Sequence, residues 1–255
     1  MLKILHTADW HVRDNNIEEI GECLSFLVYT TDNEKVDLVL IAGDIFDSRD
    51  IKLDSKSAKM VIRTISELAD ICPVAIVLGT ASHDGTAAEV LRYARGKHFV
   101  HVSSVPEQIY LKQGELYPAR GIESIKPAAV LTMIPQPSKQ YFNQGSIQES
   151  NESISQAMNG LFAGFGAAAA ECSCPHLLIY HGSISGARLS NSQTLTGMDI
   201  EVSTDQLGLS NADLFLCGHI HLPQELRGNV FYSGSIYPNN FGENHDHGFY
   251  IHEIE

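Results

Sequence analysis

The feature that most constrains the fold of this chain is a series of short apolar segments in which polar and apolar residues do not alternate. "LVLIA" at residues 38–42 and "LLIY" at residues 177–180 are examples. A strand that is apolar on both faces is covered on both faces, as in a sheet that lies between other layers. Stretches with helical spacing, residues 55–70 and 150–171, lie between such strands. The alternation predicts an α/β fold.

Nine segments are predicted to contain strands, and they extend over most of the chain. They are residues 3–11, 36–47, 73–80, 97–105, 128–135, 176–182, 212–221, 229–236 and 248–255. The chain has 255 residues, of which 44% are hydrophobic, so it can bury a sizeable core. We expect a single domain over residues 1–255.

Composition and charge narrow the classes of function. No apolar segment approaches the ~20 residues of a membrane-spanning helix, and the first residues run straight into a strand pattern instead of a signal peptide. We therefore expect a cytoplasmic protein that does not bind a membrane. The five cysteines lack zinc-site spacing and are expected to be reduced thiols. A formal net charge of -14 repels nucleic acid at long range, so a DNA substrate would need bound metals, a local basic patch or a partner.

Acidic and histidine residues follow several of the predicted strands directly. They are Asp9, His11, Asp44, His83, His181, His219 and His221. Because loops at the carboxyl ends of parallel strands converge on one crevice, we expect these side chains to meet. Carboxylate oxygens and neutral imidazole nitrogens suit manganese, iron or zinc, and two adjacent ions need a bridging carboxylate. Asp44 is the candidate bridge.

Each motif has an alternative interpretation when it is taken alone. Asp-x-His at residues 9–11 is also compatible with a polar strand end, and Gly-Asp-x-x-Asp at residues 43–47 with a turn. Gly-His-x-His at residues 218–221 favours ligation, because an extended segment puts both imidazoles on one side. A second His-x-His, His245 and His247, lies in a predicted turn and is expected to be solvated, with DNA contact or adventitious metal as the alternative.

Taken together and in this order, the motifs resemble those of the calcineurin-like metallophosphoesterases over nearly the whole chain. "HGSISGA" at residues 181–187, and "YSGS" followed by "FGE" within residues 232–243, are similar to the SbcD nucleases and their meiotic-recombination relatives. The resemblance implies a four-layer α/β/β/α sandwich with two mixed β-sheets and two divalent metal ions, expected to be Mn²⁺. It also implies processing of DNA ends in repair or recombination, together with an SMC-like coiled-coil ATPase of the SbcC type.

The resemblance further implies two ligand sets that share Asp44. One set is Asp9, His11, Asp44 and His221; the other is Asp44, His181, His219 and a residue in the place of the family's asparagine. This chain departs from the family at that place, where it has the longer sequence Gly-Thr-Ala-Ser-His in residues 79–83. Ser82 is the positional match, and Thr80 is a less direct candidate. A hydroxyl is a shorter neutral ligand than a carboxamide, so we expect weaker occupancy of the second site.

His83 and Asp84 are the expected catalytic residues. By the same resemblance, His83 protonates the departing sugar oxygen, and Asp84 orients that imidazole or raises its basicity. The family's DNA-capping domain and ATPase-binding helices have no counterpart before residue 255, so activity on single-stranded or flexible ends is expected. Family members often dimerise through helices around the His-Asp loop, and Val90, Leu91 and Ala94 form a candidate homodimer face.

Three classes of function remain open from the sequence. The first is a metal-dependent DNA exonuclease and endonuclease. The second is a phosphoesterase for a small phosphomonoester or cyclic nucleotide, which the acidic charge favours and the "FGE" segment disfavours. The third is a catalytically weak scaffold subunit, which the missing asparagine suggests.

Overall fold

A computed structural model of the protein describes residues 1–119, 126–137, 147–190 and 199–255, with the side chains of residues 147–151 left out. Its strands are β1 (Leu2–Thr7), β2 (Leu38–Ala42), β3 (Val74–Val77), β4 (Val100–Ser103), β5 (Glu107–Lys112), β6 (Glu115–Pro118), β7 (Ala129–Ile134), β8 (His176–His181), β9 (Ser183–Ile184), β10 (Glu201–Val202), β11 (Leu214–Gly218), β12 (Gln224–Leu226), β13 (Val230–Tyr232) and β14 (Tyr250–Ile254). The α-helices are α1 (Ile17–Asn33), α2 (Lys56–Ala69), α3 (Ile147–Ala169) and α4 (Thr204–Gly208), and Thr86–Tyr93 forms a 3₁₀ helix.

Two mixed sheets form the centre of the molecule. The first has the strand order β14-β1-β2-β3-β4, and only β14 runs antiparallel to its neighbour. The second has the order β12-β13-β11-β8-β7-β5-β6, with a parallel middle and antiparallel edges. Strands β9 and β10 form a separate two-stranded pair.

Three hydrophobic clusters separate four layers. In β2, Leu38 and Leu40 pack into the cluster between the two sheets, whereas Val39 and Ile41 pack against α1 and α2. On the far side, the outer face of the second sheet packs against α3 and α4. Because both faces of the central strands are covered, these strands are mostly apolar, and the polar residues within them, such as His6 and Thr132, are buried. The predicted four-layer α/β/β/α sandwich with two mixed β-sheets is confirmed.

Several elements of the fold were not predicted, among them a helix beside the first sheet and a hairpin at one edge of the second. Helix α1 was missed, although Ile20, Leu24 and Leu27 are buried at helical spacing. The hairpin β5-β6 was also missed; its turn uses the positive φ angles of Gln113 and Gly114. The predicted strands in residues 3–11, 36–47, 73–80 and 97–105 are all present.

The proposed dimer face is partly used inside the protein. Leu91, on the 3₁₀ helix, is fully buried in the cluster beneath α2, and Ala94 packs against the same cluster. Val90 is half-buried. Leu91 is therefore not available to a second copy, because the short helix turns its apolar side inward.

Two further expectations can be compared with the structure. In the part of the chain that the structure describes, no helix is long and apolar enough to cross a membrane. The five cysteines are free thiols, as predicted.

Candidate functional site

The carboxyl ends of strands from both sheets meet at one edge of the sandwich. Asp9 and His11 follow β1, Asp44 follows β2, and His181 ends β8. His219, which follows β11, donates its backbone N–H to both carboxylate oxygens of Asp9 at 3.0 Å. The His181 ring lies with Nδ1 2.6 Å from the carbonyl oxygen of Ala42 in the opposite sheet. The site is thus built across the junction of the two sheets.

The backbone at these strand ends adopts a left-handed conformation. The φ angles are 53° at Asp9, 45° at His11, 51° at Asp44 and 97° at His219. Such angles are uncommon for residues with a Cβ and cost on the order of 1–3 kcal/mol each. They turn the chain sharply as each strand ends, which directs neighbouring polar side chains towards the junction.

Two glycines make room for the polar groups at the junction. Gly43 has a φ of 86°, and a Cβ there would overlap Nδ1 of His181. A Cβ on Gly79 would overlap the backbone nitrogen and a carboxylate oxygen of Asp44. A larger residue at either position would therefore displace a candidate ligand.

The candidate ligands form two clusters. We call Asp9, His11 and His221 the Asp9 cluster, and Asp44, His181 and His219 the Asp44 cluster; in each, one ligand atom per residue lies within 4.8 Å of the others. Asp44 Oδ2 lies 3.3 Å from His181 Nε2 and 4.0 Å from His11 Nε2. Asp44 is therefore the carboxylate placed between the clusters. Carboxylate oxygens and imidazole nitrogens at this spacing fit divalent transition metals.

Charge and burial set the protonation of the cluster residues. Burial opposes ionisation of Asp44, but the imidazoles of His181, His11 and His83 hold the pKa of this carboxyl well below its usual range. Burial would lower the pKa of His181, but the Asp44 carboxylate raises it to about 9. Burial lowers the pKa of His11 to about 3, and Asp44 offsets this only in part. His11 is therefore the neutral imidazole that a metal requires, whereas His181 must release a proton to bind one.

Thr80, and not Ser82, supplies the hydroxyl beside Asp44. Its backbone N–H donates to Oδ1 of Asp44 at 2.5 Å, and its Oγ1 lies 3.0 Å from Oδ2 of Asp44 and 3.4 Å from Nε2 of His181. Ser82 is exposed, and its carbonyl accepts from the N–H of Arg49 at 2.9 Å. The physical reason is a tight turn in which the carbonyl of Thr80 accepts from both His83 and Asp84, at 2.8 and 2.9 Å. That turn directs residue 82 away from the site.

His83 lies beside the Asp9 cluster, and its ring centroid is 4.6 Å from that of His11. Its Nδ1 lies 2.9 Å from the carbonyl oxygen of Asp47. Because a carbonyl only accepts, Nδ1 carries the hydrogen, and Nε2 is the nitrogen left for proton transfer. The backbone of Asp47 thus orients the imidazole, in the role expected for Asp84.

Asp84 has a structural position instead. Its side chain is buried, and its carboxylate accepts backbone N–H groups from Ile45 at 2.9 Å, Phe46 at 3.1 Å and Gly79 at 2.9 Å. Burial, and then the charge of Asp44, raise the pKa of Asp84 to about 6. The carboxylate therefore ties the loop after β2 to the loop after β3 and acts on His83 only through their positions.

Glu243 is a site residue that the sequence did not reveal as such. Its carboxylate lies 2.8 Å from Nδ1 of His221 and also accepts from the N–H of Asn239 at 2.8 Å and from Oγ of Ser190 at 3.2 Å. Because a carboxylate only accepts, Nδ1 of His221 carries the hydrogen and Nε2 faces His11, 3.2 Å from its Nε2. This is the carboxylate–histidine pairing that fixes metal-binding imidazoles. Glu243 is the glutamate of the "FGE" segment, which carries part of the resemblance to the SbcD nucleases.

The second His-x-His also differs from its prediction. His245 Nε2 lies 3.0 Å from the carbonyl of His221, and His247 Nδ1 lies 3.0 Å from Oγ of Ser235. These contacts dock the segment before β14 onto the back of the site. The histidines are therefore structural links instead of a solvated loop.

Asp47 makes a third candidate group with His11 and His83. Its Oδ1 lies 4.0 Å from Nδ1 of His11 and 3.6 Å from Nη1 of Arg13. Its carboxylate thus faces an imidazole of the Asp9 cluster and a guanidinium at the same time.

The chain is similar to known proteins over most or all of its length. The family model described as calcineurin-like phosphoesterase matches residues 2–223. The chain is 24% identical to the SbcD component of the nuclease SbcCD of Staphylococcus epidermidis over 268 aligned positions, and it spans 66% of that relative's length. Among solved structures, it is similar to GAP50, the anchor in the inner membrane complex of Plasmodium. That match has a TM-score of 0.57 and 16% identity, and covers 98% of this chain and 80% of the other. At that identity, the likeness concerns the fold alone.

Proposed function

The chain belongs to the calcineurin-like phosphoesterase family, a family of metal-dependent phosphoester hydrolases, and from this premise we propose that it is a DNA nuclease that hydrolyses phosphodiester bonds. The observation that carries the proposal is the meeting of the Asp9 and Asp44 clusters on either side of Asp44, with His83 beside them. The similarity of the whole chain to part of an SbcD nuclease component supports DNA as the substrate.

The site residues fit a cofactor of two divalent cations, which we propose to be Mn²⁺. Asp9, His11 and His221 would hold one ion, His181 and His219 would hold the other, and both would share Asp44. The second set has one ligand fewer than the first, and the hydroxyl of Thr80 lies beside it. When bound, such a pair supplies Lewis-acid stabilisation of phosphoryl charge and a more acidic attacking water.

Residues of the protein provide proton transfer and hold the ligands in position. The carbonyl of Asp47 holds His83 through Nδ1, which leaves Nε2 as the nitrogen for proton transfer. In the imidazolium form, with both ring nitrogens protonated, Nε2 donates its proton to the departing sugar oxygen, a step that general acids accelerate by about 10²- to 10⁴-fold. Glu243 holds His221 in one tautomer, and Asp84 holds the two loops that carry Asp44 and His83.

The biological setting is proposed by analogy with the SbcD relative. We propose a cytoplasmic protein that acts on DNA ends in repair or recombination together with a coiled-coil ATPase of the SbcC type. An acidic chain with a net charge of -14 has little long-range attraction for DNA. A partner that holds the DNA would compensate for this.

The test is a Mn²⁺ titration with three substrates: a labelled single-stranded oligonucleotide, bis(p-nitrophenyl) phosphate and p-nitrophenyl phosphate. We expect metal-dependent cleavage of the oligonucleotide and of the diester, and little release from the monoester. The Asp44→Ala protein is the control for a contaminating nuclease. Hydrolysis of the monoester alone would reject the nuclease assignment.

A second candidate is hydrolysis of a small phosphoester, and the net charge of -14 is the observation in its favour. A small substrate does not need an extended basic surface. The same three substrates and a set of cyclic nucleotides separate the two candidates. The substrate that saturates the protein at the lowest concentration identifies the function.

A further inference from the structure

A cavity of about 460 Å³ opens beside the Asp9 cluster. It lies between the start of α1 and the segment after β13, and its lining includes Arg13, Asn16, Tyr237, Asn239, Phe241 and Glu243. Glu243 contacts His221 directly, and Arg13 follows His11 by two residues. The cavity is therefore continuous with the candidate metal centre, and its volume is in the usual range for a small-molecule site.

Buried polar atoms in this lining have no hydrogen-bond partner within the described part of the chain. They are Nε of Arg13, Nδ2 of Asn16 and Oδ1 of Asn239. The side chain of Asn16 is especially informative, because the residue is only 6% exposed. Buried polar groups are nearly always paired, so such atoms beside a cavity indicate that a water molecule or a ligand completes them. Two of the three are donors, one of them on a guanidinium, and this combination suits a phosphate.

The cavity also has an aromatic edge. Phe241 is fully exposed, and Tyr237 packs at its base against the core beneath α1. An exposed phenylalanine beside an arginine is the arrangement on which single-stranded nucleic acids stack their bases. The side-chain amide oxygen Oδ1 of Asn239 is an acceptor within the same lining, suited to a base amino group.

We infer that this cavity binds a nucleotide next to the scissile phosphodiester, with its base stacked on Phe241 and its phosphate held by Arg13 and Asn16. The inference rests on the proposed nuclease function. The cavity is then the part of the surface that distinguishes a polynucleotide from a small phosphoester. It also explains how an acidic protein holds DNA: the contact is local, with one guanidinium and one ring, instead of a basic surface.

The test is equilibrium binding of a fluorescent oligothymidylate of about twelve residues, measured by anisotropy in EDTA so that nothing is cleaved. Because stacking on one aromatic ring stabilises a bound base, Phe241→Ala should weaken binding roughly tenfold. Phe26→Ala is the matched control, because Phe26 is also an exposed phenylalanine, 61% exposed, but lies on α1 outside this lining. Its affinity should equal that of the wild type.

A second variant reports on the phosphate. Arg13→Gln should reduce the slope of log affinity against log salt by about one, whereas Phe241→Ala should leave that slope unchanged. Equal affinities for the wild type and Phe241→Ala, or a wild-type protein that does not bind the oligonucleotide, would overturn the inference.

The same proteins separate this inference from the proposed function. Cleavage of DNA with Mn²⁺ by the wild type, together with unchanged binding in Phe241→Ala, would reject the cavity and leave the nuclease. Binding that Phe241→Ala weakens, without any cleavage by the wild type, would support the cavity and reject the nuclease.

Discussion

The Asp9 and Asp44 clusters contain the same kinds of side chain but are held in different ways. His181, in the Asp44 cluster, is fully buried and is fixed by the backbone carbonyl of Ala42 at the end of β2. His221, in the Asp9 cluster, is only part-buried, and Glu243 fixes it from a segment 22 residues further on. The end of a strand in the opposite sheet therefore fixes His181, whereas His221 depends on the segment after β13.

This difference predicts that the two clusters fail in different ways. Loss of the Glu243 carboxylate should weaken the Asp9 cluster without unfolding the protein, because Glu243 is joined to His221 by a hydrogen bond and is not part of the hydrophobic core. Loss of the His181 ring should instead be accompanied by a loss of stability, because this fully buried ring fills the junction of the two sheets.

The most severe test of the comparison is Asp44→Ala. Since Asp44 lies between the clusters, we expect no detectable Mn²⁺-dependent hydrolysis and weaker binding of both ions. Calorimetric titration with Mn²⁺ and an assay on bis(p-nitrophenyl) phosphate measure the two effects. Asp50→Ala, at an exposed position, is the matched control. One ion bound with wild-type affinity in Asp44→Ala would mean that the clusters are independent.

His83→Asn should have the next largest effect, and it should depend on the leaving group. We expect a loss of about 10²- to 10⁴-fold in kcat on an oligonucleotide, whose sugar oxygen needs a proton. The loss on bis(p-nitrophenyl) phosphate should be much smaller, because nitrophenolate leaves without one. Equal losses on both substrates would assign His83 to metal or substrate binding instead of proton transfer.

Glu243→Gln tests the support of the Asp9 cluster. Glutamine keeps the size of the side chain but removes the charge that fixes His221, so we expect about 10- to 100-fold weaker binding of one Mn²⁺. Calorimetry should show the other ion unchanged and thermal unfolding near the wild-type temperature. Glu225→Gln, an exposed carboxylate on β12, is the control. A uniform loss at both ions would remove the distinction between the clusters.

The smallest expected effect concerns the hydroxyl next to the Asp44 cluster. Thr80→Val keeps the shape of the side chain and removes Oγ1, which contacts Asp44 and His181. We expect a loss of about tenfold in affinity for the more weakly bound ion. Ser82→Ala removes an exposed hydroxyl and should have no effect. If the two results were reversed, the loop would rearrange on metal binding to bring Ser82 in.

The sequence predicted the parts of the site that depend on strand ends. Asp9, Asp44 and His181 follow apolar segments that are buried on both faces, and a parallel sheet brings such positions together. It could not predict the partner of His221, because Glu243 reaches that ring through the tertiary path of an irregular segment. The sequence also favoured Ser82 over Thr80, because it does not show how the loop folds back on itself. Position along a loop does not determine direction when a turn such as the one at Thr80 reverses the chain.

The left-handed angles at Asp9, His11, Asp44 and His219 give the protein an evolutionary vulnerability. At such positions a glycine relieves conformational strain, so substitutions that raise the melting temperature are available at the very residues the chemistry needs. A screen that rewards thermal stability alone would therefore enrich folded, inactive descendants of this chain. In nature the same drift would turn an enzyme into a binding protein without altering its architecture.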